Sequence, residues 1–184
     1  EIDPAIAEVA ENPTYFPFMT ECRAGVPWVI LGDAYLRLQE VPEQSYDMLI
    51  LDAFSSDSIP MHLMTREALA LYRSRLKPGG IMAFHISNRY LNLRPILAKL
   101  AEDAGLVGRG WYDSSGDKKI GKFDSEWVIV AEREEDFGAV AWPRGMDSFP
   151  DARWETIRPK PNTPLWTNNF SNLLAAFGRP DLED

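Results

Sequence analysis

An α/β domain with a mostly parallel sheet is the fold class the sequence predicts, and three observations predict it. Apolar runs of strand length alternate with amphipathic stretches of helix length through the first two thirds of the chain. Two of these runs, VPWVILGD (26–33) and YDMLILDAF (46–54), are almost continuously apolar, as strands buried on both faces are, and carry an acid at or near their carboxyl ends. A polar stretch punctuated by glycine, DSSGDKKIGKFD (113–124), separates the last two runs and predicts a C-terminal antiparallel hairpin.

At the front, Pro4 suits the first turn of a helix over PAIAEVAEN (4–12), so Glu-Ile-Asp before it reads as the end of a strand whose earlier residues are absent. The chain starts without Met, and further sequence is expected upstream. After the run 26–33, AYLRLQEV (34–41) supplies one or two helical turns. After 46–54 a helix starts near Thr65, with Leu69, Tyr72 and Leu76 on its apolar stripe, and KPGG (77–80) stops it. GIMAFHIS (80–87) is then a strand and LNLRPILAKLAEDAG (91–105) a helix. LVGRGWYD (106–113) and SEWVIVAER (125–133) are the two strands of the hairpin. From 136 to 184 the chain is rich in Pro and Trp and is expected to pack on the same domain, with a short helix over NFSNLLAAFG (169–178) capped by Asn or Ser. Residues 1–135 would form the α/β domain proper, without its first strand.

With 184 residues and 45% hydrophobic content, one core is the expectation. A net charge of −9 and the lack of any Lys/Arg cluster argue against a nucleic-acid surface. Cys22 stands alone, which excludes an intrachain disulfide and a cysteine metal cluster and fits a reducing, cytoplasmic setting. No window approaches the roughly 18 apolar residues of a membrane span, so no membrane contact is expected of this chain. His62 and His85 have no third ligand at a useful spacing, and no metal is expected. The serines of DAFSSDS lack the glycines of a nucleophile elbow, which disfavours hydrolase chemistry.

Ligands of open α/β sheets sit outside the carboxyl ends of the strands, and acids stand at three such ends, in EID, in LGD at Asp33 and in LILD at Asp52. A carboxylate offers two acceptor oxygens to the two adjacent hydroxyls of a ribose, and a second carboxylate can accept from an adenine amino group. Each acid taken singly is equally well read as a helix cap or turn former. Three in succession give the order of a nucleoside-binding doubly wound domain.

EIDP, LGDAYLRL, YDMLILDAFSSDSIPMHLMTREAL and LKPGGIMAFHISN resemble the spermidine synthase family of polyamine aminopropyltransferases, in particular its spermidine-synthase-like bacterial branch. The likeness covers about positions 1 to 132, and PLWTNNFSNLL extends it loosely. It implies a Rossmann-like, S-adenosylmethionine-dependent methyltransferase-type sheet. It also implies transfer of an aminopropyl group from decarboxylated S-adenosylmethionine to a diamine such as putrescine, with no metal, by an enzyme expected to be a homodimer. By the same resemblance Glu1 would hold the ribose and Asp33 with Ala34 the adenine, and Asp3 would belong to the cofactor-binding set. Ala53 and Pro60 would complete the cofactor-binding set. Asp52 would be the catalytic carboxylate beside the attacking amine, and Asp57, His85 and Tyr112 would be substrate-binding, Asp57 and Pro60 lying in a loop that closes over substrate. An ammonium must lose a proton before it can attack carbon next to a sulfonium, which is work for a carboxylate.

The chain departs from the family pattern in four places. The glycine-rich turn and first strand are missing, the acids of DAFSSDSIP are two residues further apart than in Asp-x-x-Asp-Pro, His85 stands where a Gln is usual, and the usual Tyr is out of register, with Tyr112 and Phe123 nearest. Trp111, Tyr112 and Trp127 are candidates for either core or an amine cage. Two other functions share these features: an S-adenosylmethionine-dependent methyltransferase, and a non-catalytic nucleoside-binding regulatory domain.

Overall fold

The computed structural model describes residues 1–23, 25, 27–53, 60–88, 90–141 and 154–177. They form two compact units, Glu1–Pro42 and Glu43–Asp184.

In the first unit, helix α1 (Pro4–Glu11) begins at Asp3, whose carboxylate accepts from the Ala5 N–H at 2.8 Å. Helix α2 (Ala34–Gln39) begins at Asp33, which accepts from the Leu36 N–H at 3.0 Å. The stretch between them departs from expectation. Residues 27–33 form no strand, and Trp28, Ile30 and Leu31 are exposed. The reason lies in the hydrogen bonds. Among the described residues the backbone partner of this stretch is at its end: the Glu1 amino group donates to the Ile30 carbonyl at 3.0 Å, and the Gly32 N–H donates to the Glu1 carbonyl at 2.9 Å. That is the slanted pattern of parallel strands, so EID and LGD do lie side by side, but two bonds do not make a ladder. Gly32 has φ +132°, and Arg37, donating to the Leu31 carbonyl at 2.8 Å, passes so close that a Cβ on Gly32 would lie 2.7 Å from its Nε.

The second unit holds β1 (Tyr46–Leu51), α3 (Arg66–Arg75), β2 (Leu76–His85), α4 (Arg94–Asp103), β3 (Val107–Asp113), β4 (Ser125–Ala131), the short α5 (Gly138–Ala141) and β5 (Glu155–Thr156). The sheet order is β1-β2-β4-β3-β5. The α/β class and the C-terminal antiparallel hairpin are as expected, but the sheet is mixed rather than mostly parallel. Among the described residues only β1 and β2 run parallel, while β2–β4, β4–β3 and β3–β5 are antiparallel. With residues 27–33 outside any ladder, one crossover pair is left to carry the parallel character. Among the described residues β1 is an edge strand of this sheet, and it is not buried on both faces: Met48 and Ile50 are exposed.

Helix α3 is capped by Thr65, whose hydroxyl accepts from the Ala68 N–H at 3.1 Å and donates to Asn168 at 2.9 Å. It stops at Arg75 as expected, but KPGG is taken into β2. Register with β1 jumps from Tyr46↔Leu76 to Met48↔Ile81, so residues 77–80 bulge opposite Asp47, with Gly79 at φ +79°. Alternation along β2 sends Met82, Phe84 and Ile86 to one face, where Tyr72 of α3 packs on Phe84 and α4 buries Ile96, Leu97 and Leu100. Ile81 and Ala83 face the other way and form a core with Ile129, Ala131, Phe137 and Ala141, bordered by Trp127 and Trp154.

The tail returns to this unit. β5 pairs with β3, the Ile157 N–H donates to the Gly108 carbonyl at 3.1 Å, and Trp166 is fully buried, its Nε1 without a hydrogen-bond partner among the described residues. The helix expected over 169–178 is only a 3-10 turn, Leu173–Ala176, with no side-chain bond from its cap Asn172. Bridges Thr167↔Phe170 and Leu91↔Phe177 tie the chain at both ends of that segment and leave no length for α-helical turns. Trp142 lies outside the described residues.

Candidate functional site

In the first unit the acids at the strand ends are engaged locally. Glu1 Oε1 accepts from the N–H groups of Ile2 and Asp3 at 2.8 and 2.9 Å, a turn that does not use Oε2. Asp3 and Asp33 are the caps described above, and Ala34 is the first, exposed residue of α2. Each capping carboxylate spends one oxygen on its helix. The second oxygen of Glu1 and the carboxylate of Asp33 are chemically suited to hydroxyl and amino donors.

In the second unit the parallel pairing of β1 with β2 sets Leu51 opposite Phe84, so the residues that follow, Asp52 and His85, emerge together at the carboxyl ends of the two strands. Asp52 Oδ1 lies 2.7 Å from His85 Nδ1. The other ring nitrogen, Nε2, lies 2.6 Å from the Ser87 hydroxyl, which accepts from the Glu126 N–H at 2.7 Å. On the β4 side His85 is paired with Trp127, and the two rings stack at 4.7 Å with 19° between planes. The Asp52 side chain is 59% exposed and that of His85 19%, so the carboxylate stands at the surface of the group while the imidazole is enclosed. Ala53 beside it is exposed, and Pro60 opens the 3-10 turn Met61–Leu63. Asp57 lies outside the described residues.

Tyr112 is not brought to this group. It pairs with Glu126, whereas Trp111 pairs with Trp127, and directly opposed residues share a face, so Tyr112 lies on the reverse side of the sheet from His85. There it is exposed, its hydroxyl 3.5 Å from Asp124, next to the turn in which Ser115 and Lys122 hold the Asp113 carboxyl down to about 2. Trp111 stands on the His85 face, edge-on to Trp154 at 5.7 Å.

Three residues of this region were not foreseen from sequence. Ser87 follows His85 by two, the strand spacing that returns a side chain to the same face, and that was its only signal. Glu126 is an acid inside the run SEWVIVA, and Arg94 precedes a helix proline. Arg94 Nε donates to Glu126 Oε1 at 2.7 Å, and burial pushes the Glu126 carboxyl above its usual range despite the neighbouring guanidinium.

A cleft of about 780 Å³ opens at the amino ends of the strands, away from Asp52. Its cations are already matched: Arg66 with Asp103, Arg73 with Glu132, Lys77 with Asp47. Among the described residues no group of His, Cys, Asp and Glu is placed to hold a metal ion, and no helix is long and apolar enough to cross a membrane.

No family model matches the chain. A polyamine aminopropyltransferase of Vibrio vulnificus (strain CMCP6) is 38% identical over 84 residues, which is 45% of this chain and 26% of the relative. The chain thus spans about a quarter of the curated relative that it matches. Among solved structures, a probable spermidine synthase from Corynebacterium glutamicum ATCC 13032 superposes with a TM-score of 0.59 at 16% identity, over 94% of this chain and 63% of that one. At that identity the likeness is one of fold.

Proposed function

We propose that the chain is the aminopropyl-transferring part of an enzyme of the spermidine synthase type, with Asp52 as its base. The observation that carries this reading is the carboxylate itself. Asp52 stands exposed at the carboxyl end of β1, with one oxygen held by His85 and the other available to a cationic amine. The relative that shares 38% of residues over 84 positions is named for this transfer.

The chemistry assigned to the chain is short. An ammonium bound at Asp52 gives a proton to the carboxylate, and the freed nitrogen lone pair attacks the carbon next to the sulfonium. The C–S bond breaks with its electron pair going to sulfur, which leaves as a neutral thioether and needs no acid. Glu1 and Asp33 are assigned to the nucleoside of decarboxylated S-adenosylmethionine, ribose and adenine respectively. Glu1 and Asp33 are carboxylates suited to hydroxyl and amino donors, and Asp3 and Ala34 stand beside them at the starts of the two helices. Asp57, Ala53 and Pro60 remain with the loop that would follow Asp52. Tyr112 is left out of the amine site because it faces the other side of the sheet. A small diamine, no metal, a homodimer and a cytoplasmic setting complete the proposal.

Calorimetry with decarboxylated and intact S-adenosylmethionine, followed by a putrescine assay, tests it. Tighter binding of the decarboxylated nucleoside and formation of the aminopropylated amine support it. Preference for the intact nucleoside with transfer of a methyl group would replace it with a methyltransferase. Nucleoside binding without any transfer would leave a regulatory domain.

A further inference from the structure

We propose that His85 is the positioning residue of Asp52, not a ligand of the substrate, and that Ser87, by donating to its other nitrogen, supports the tautomer in which it acts. The proposal rests on Asp52 being the base.

Both ring nitrogens of His85 are occupied by protein groups. The sequence of contacts decides where the hydrogens lie. The Glu126 N–H donates to the Ser87 hydroxyl oxygen at 2.7 Å, so that oxygen already serves as an acceptor. The ionised Asp52 carboxylate can only accept, so the hydrogen between it and Nδ1 is the ring's, and the Nε2 of a neutral ring is left to accept the Ser87 hydroxyl hydrogen across 2.6 Å. A neutral imidazole that accepts at Nε2 carries its hydrogen on Nδ1, and that hydrogen meets Asp52 Oδ1 at 2.7 Å. A half-turn of the ring would forfeit both bonds, and the stack on Trp127 keeps its plane. The backbone of β4 thereby sets the orientation of a carboxylate on β1 through one hydroxyl and one ring.

Two consequences follow. The ring has no nitrogen left to receive an amine, and one of its faces is covered by Trp127, which removes it as a polar substrate contact. Asp52 loses the rotamer freedom of an exposed acid and presents its second oxygen in one direction, which is what an oriented proton transfer needs. The same order of groups, carboxylate, imidazole, hydroxyl, would serve a serine nucleophile. Here the hydroxyl oxygen is half-buried and already accepts the backbone N–H, so it is an anchor and not an attacking atom.

The test compares His85→Phe, which keeps ring volume and stacking but has no donor, with His85→Asn, whose amide can replace the Nδ1–H, and Ser87→Ala. In the intact protein His85→Phe is expected to lower kcat roughly 10–100-fold, the scale on which such supporting partners act. The amine KM should change by less than about twofold, and His85→Asn should recover most of kcat. Nitrogen-15 NMR of the wild type should show the Nδ1–H tautomer, and Ser87→Ala should let the Nε2–H form appear. Full kcat in His85→Phe, or a loss confined to KM, overturns the positioning role. An Nε2–H ring in the wild type overturns it whatever the activity. Absence of transfer by a wild type that does show the Nδ1–H ring would sink the aminopropyl reading while leaving the hold of His85 on Asp52 in place.

Discussion

Arg94, at the start of α4, holds Glu126 of β4 across 2.7 Å in a pair whose acid is only 4% exposed and whose base is 25% exposed. Glu126 is also the residue whose backbone N–H anchors Ser87, so the ion pair underpins the strand on which His85 depends. Removing one member is expected to cost more than removing both, because a lone buried charge has no compensation. Arg94→Met should destabilise the fold by about 3–5 kcal/mol, while Arg94→Met with Glu126→Leu should recover most of that. Urea titrations of the three proteins check it, and a loss below about 1 kcal/mol in the single variant would show the pair to be idle.

The same acid gives a pH prediction. Burial raises the Glu126 carboxyl above its ordinary 4.5, the opposite of the usual salt-bridged case. The folded state then binds the proton before the unfolded state does, so this group's contribution to stability grows as pH falls from the raised value toward 4.5 and declines as pH rises through it. Relative to Glu126→Gln, the wild type should gain stability between neutral pH and pH 5. Parallel pH slopes for the two proteins would contradict this.

Asp52→Asn keeps the shape of the side chain and removes the base. Turnover should fall by roughly 10²-fold or more, with nucleoside affinity little changed. Unaltered turnover would take Asp52 out of the chemistry.

Gly108 and Gly110 of β3 are covered by Ile157, which follows β5. A Cβ on Gly108 would lie 2.6 Å from Ile157 Cδ1, and one on Gly110 would lie 2.9 Å from Ile157 Cγ2 and 3.1 Å from Arg94 Cζ. Gly108→Ala is therefore expected to cost about 1–3 kcal/mol through overpacking and to loosen the returning tail. Thermal unfolding measures it, and a neutral substitution would mean that Ile157 moves aside without cost.

What the sequence made legible was local. Asp52 and His85 could be placed at strand ends because the apolar runs before them are continuous, and the hairpin could be placed because 113–124 is polar and holds glycines. Asp3 and Asp33 carry one signal with two meanings, since an acid before a helix serves as a cap and as a strand-end ligand alike, and the caps are what their hydrogen bonds show. Ser87, Arg94 and Glu126 were hidden because their roles come from pairings across 32 and 39 positions of chain. The run 26–33 misled for a related reason: its apolar pattern describes a strand, but a strand exists only where neighbours complete its ladder.

The edge of β1 leads to the last expectation. This strand bonds to β2 along one side, and no strand among the described residues pairs with the other. Ile50 is 63% exposed and Met48 36%, so apolar side chains flank most of the open backbone, and Asp47, paired with Lys77, is the one charge on the strand. In water the free N–H and C=O groups are solvated and cost little, but a second strand laid there would exchange those bonds and bury Ile50, worth about 1.5–3 kcal/mol for a full side chain. The isolated 20.8 kDa chain should therefore associate with itself as concentration rises. Ile50→Lys should weaken that association, because a charge would have to be buried in the new pairing, and it should leave thermal stability nearly unchanged, because the residue is exposed in the single chain. Sedimentation over a concentration series decides it: a chain that stays monomeric throughout, or an Ile50→Lys variant that associates as strongly as the wild type, would mean that this edge recruits no partner.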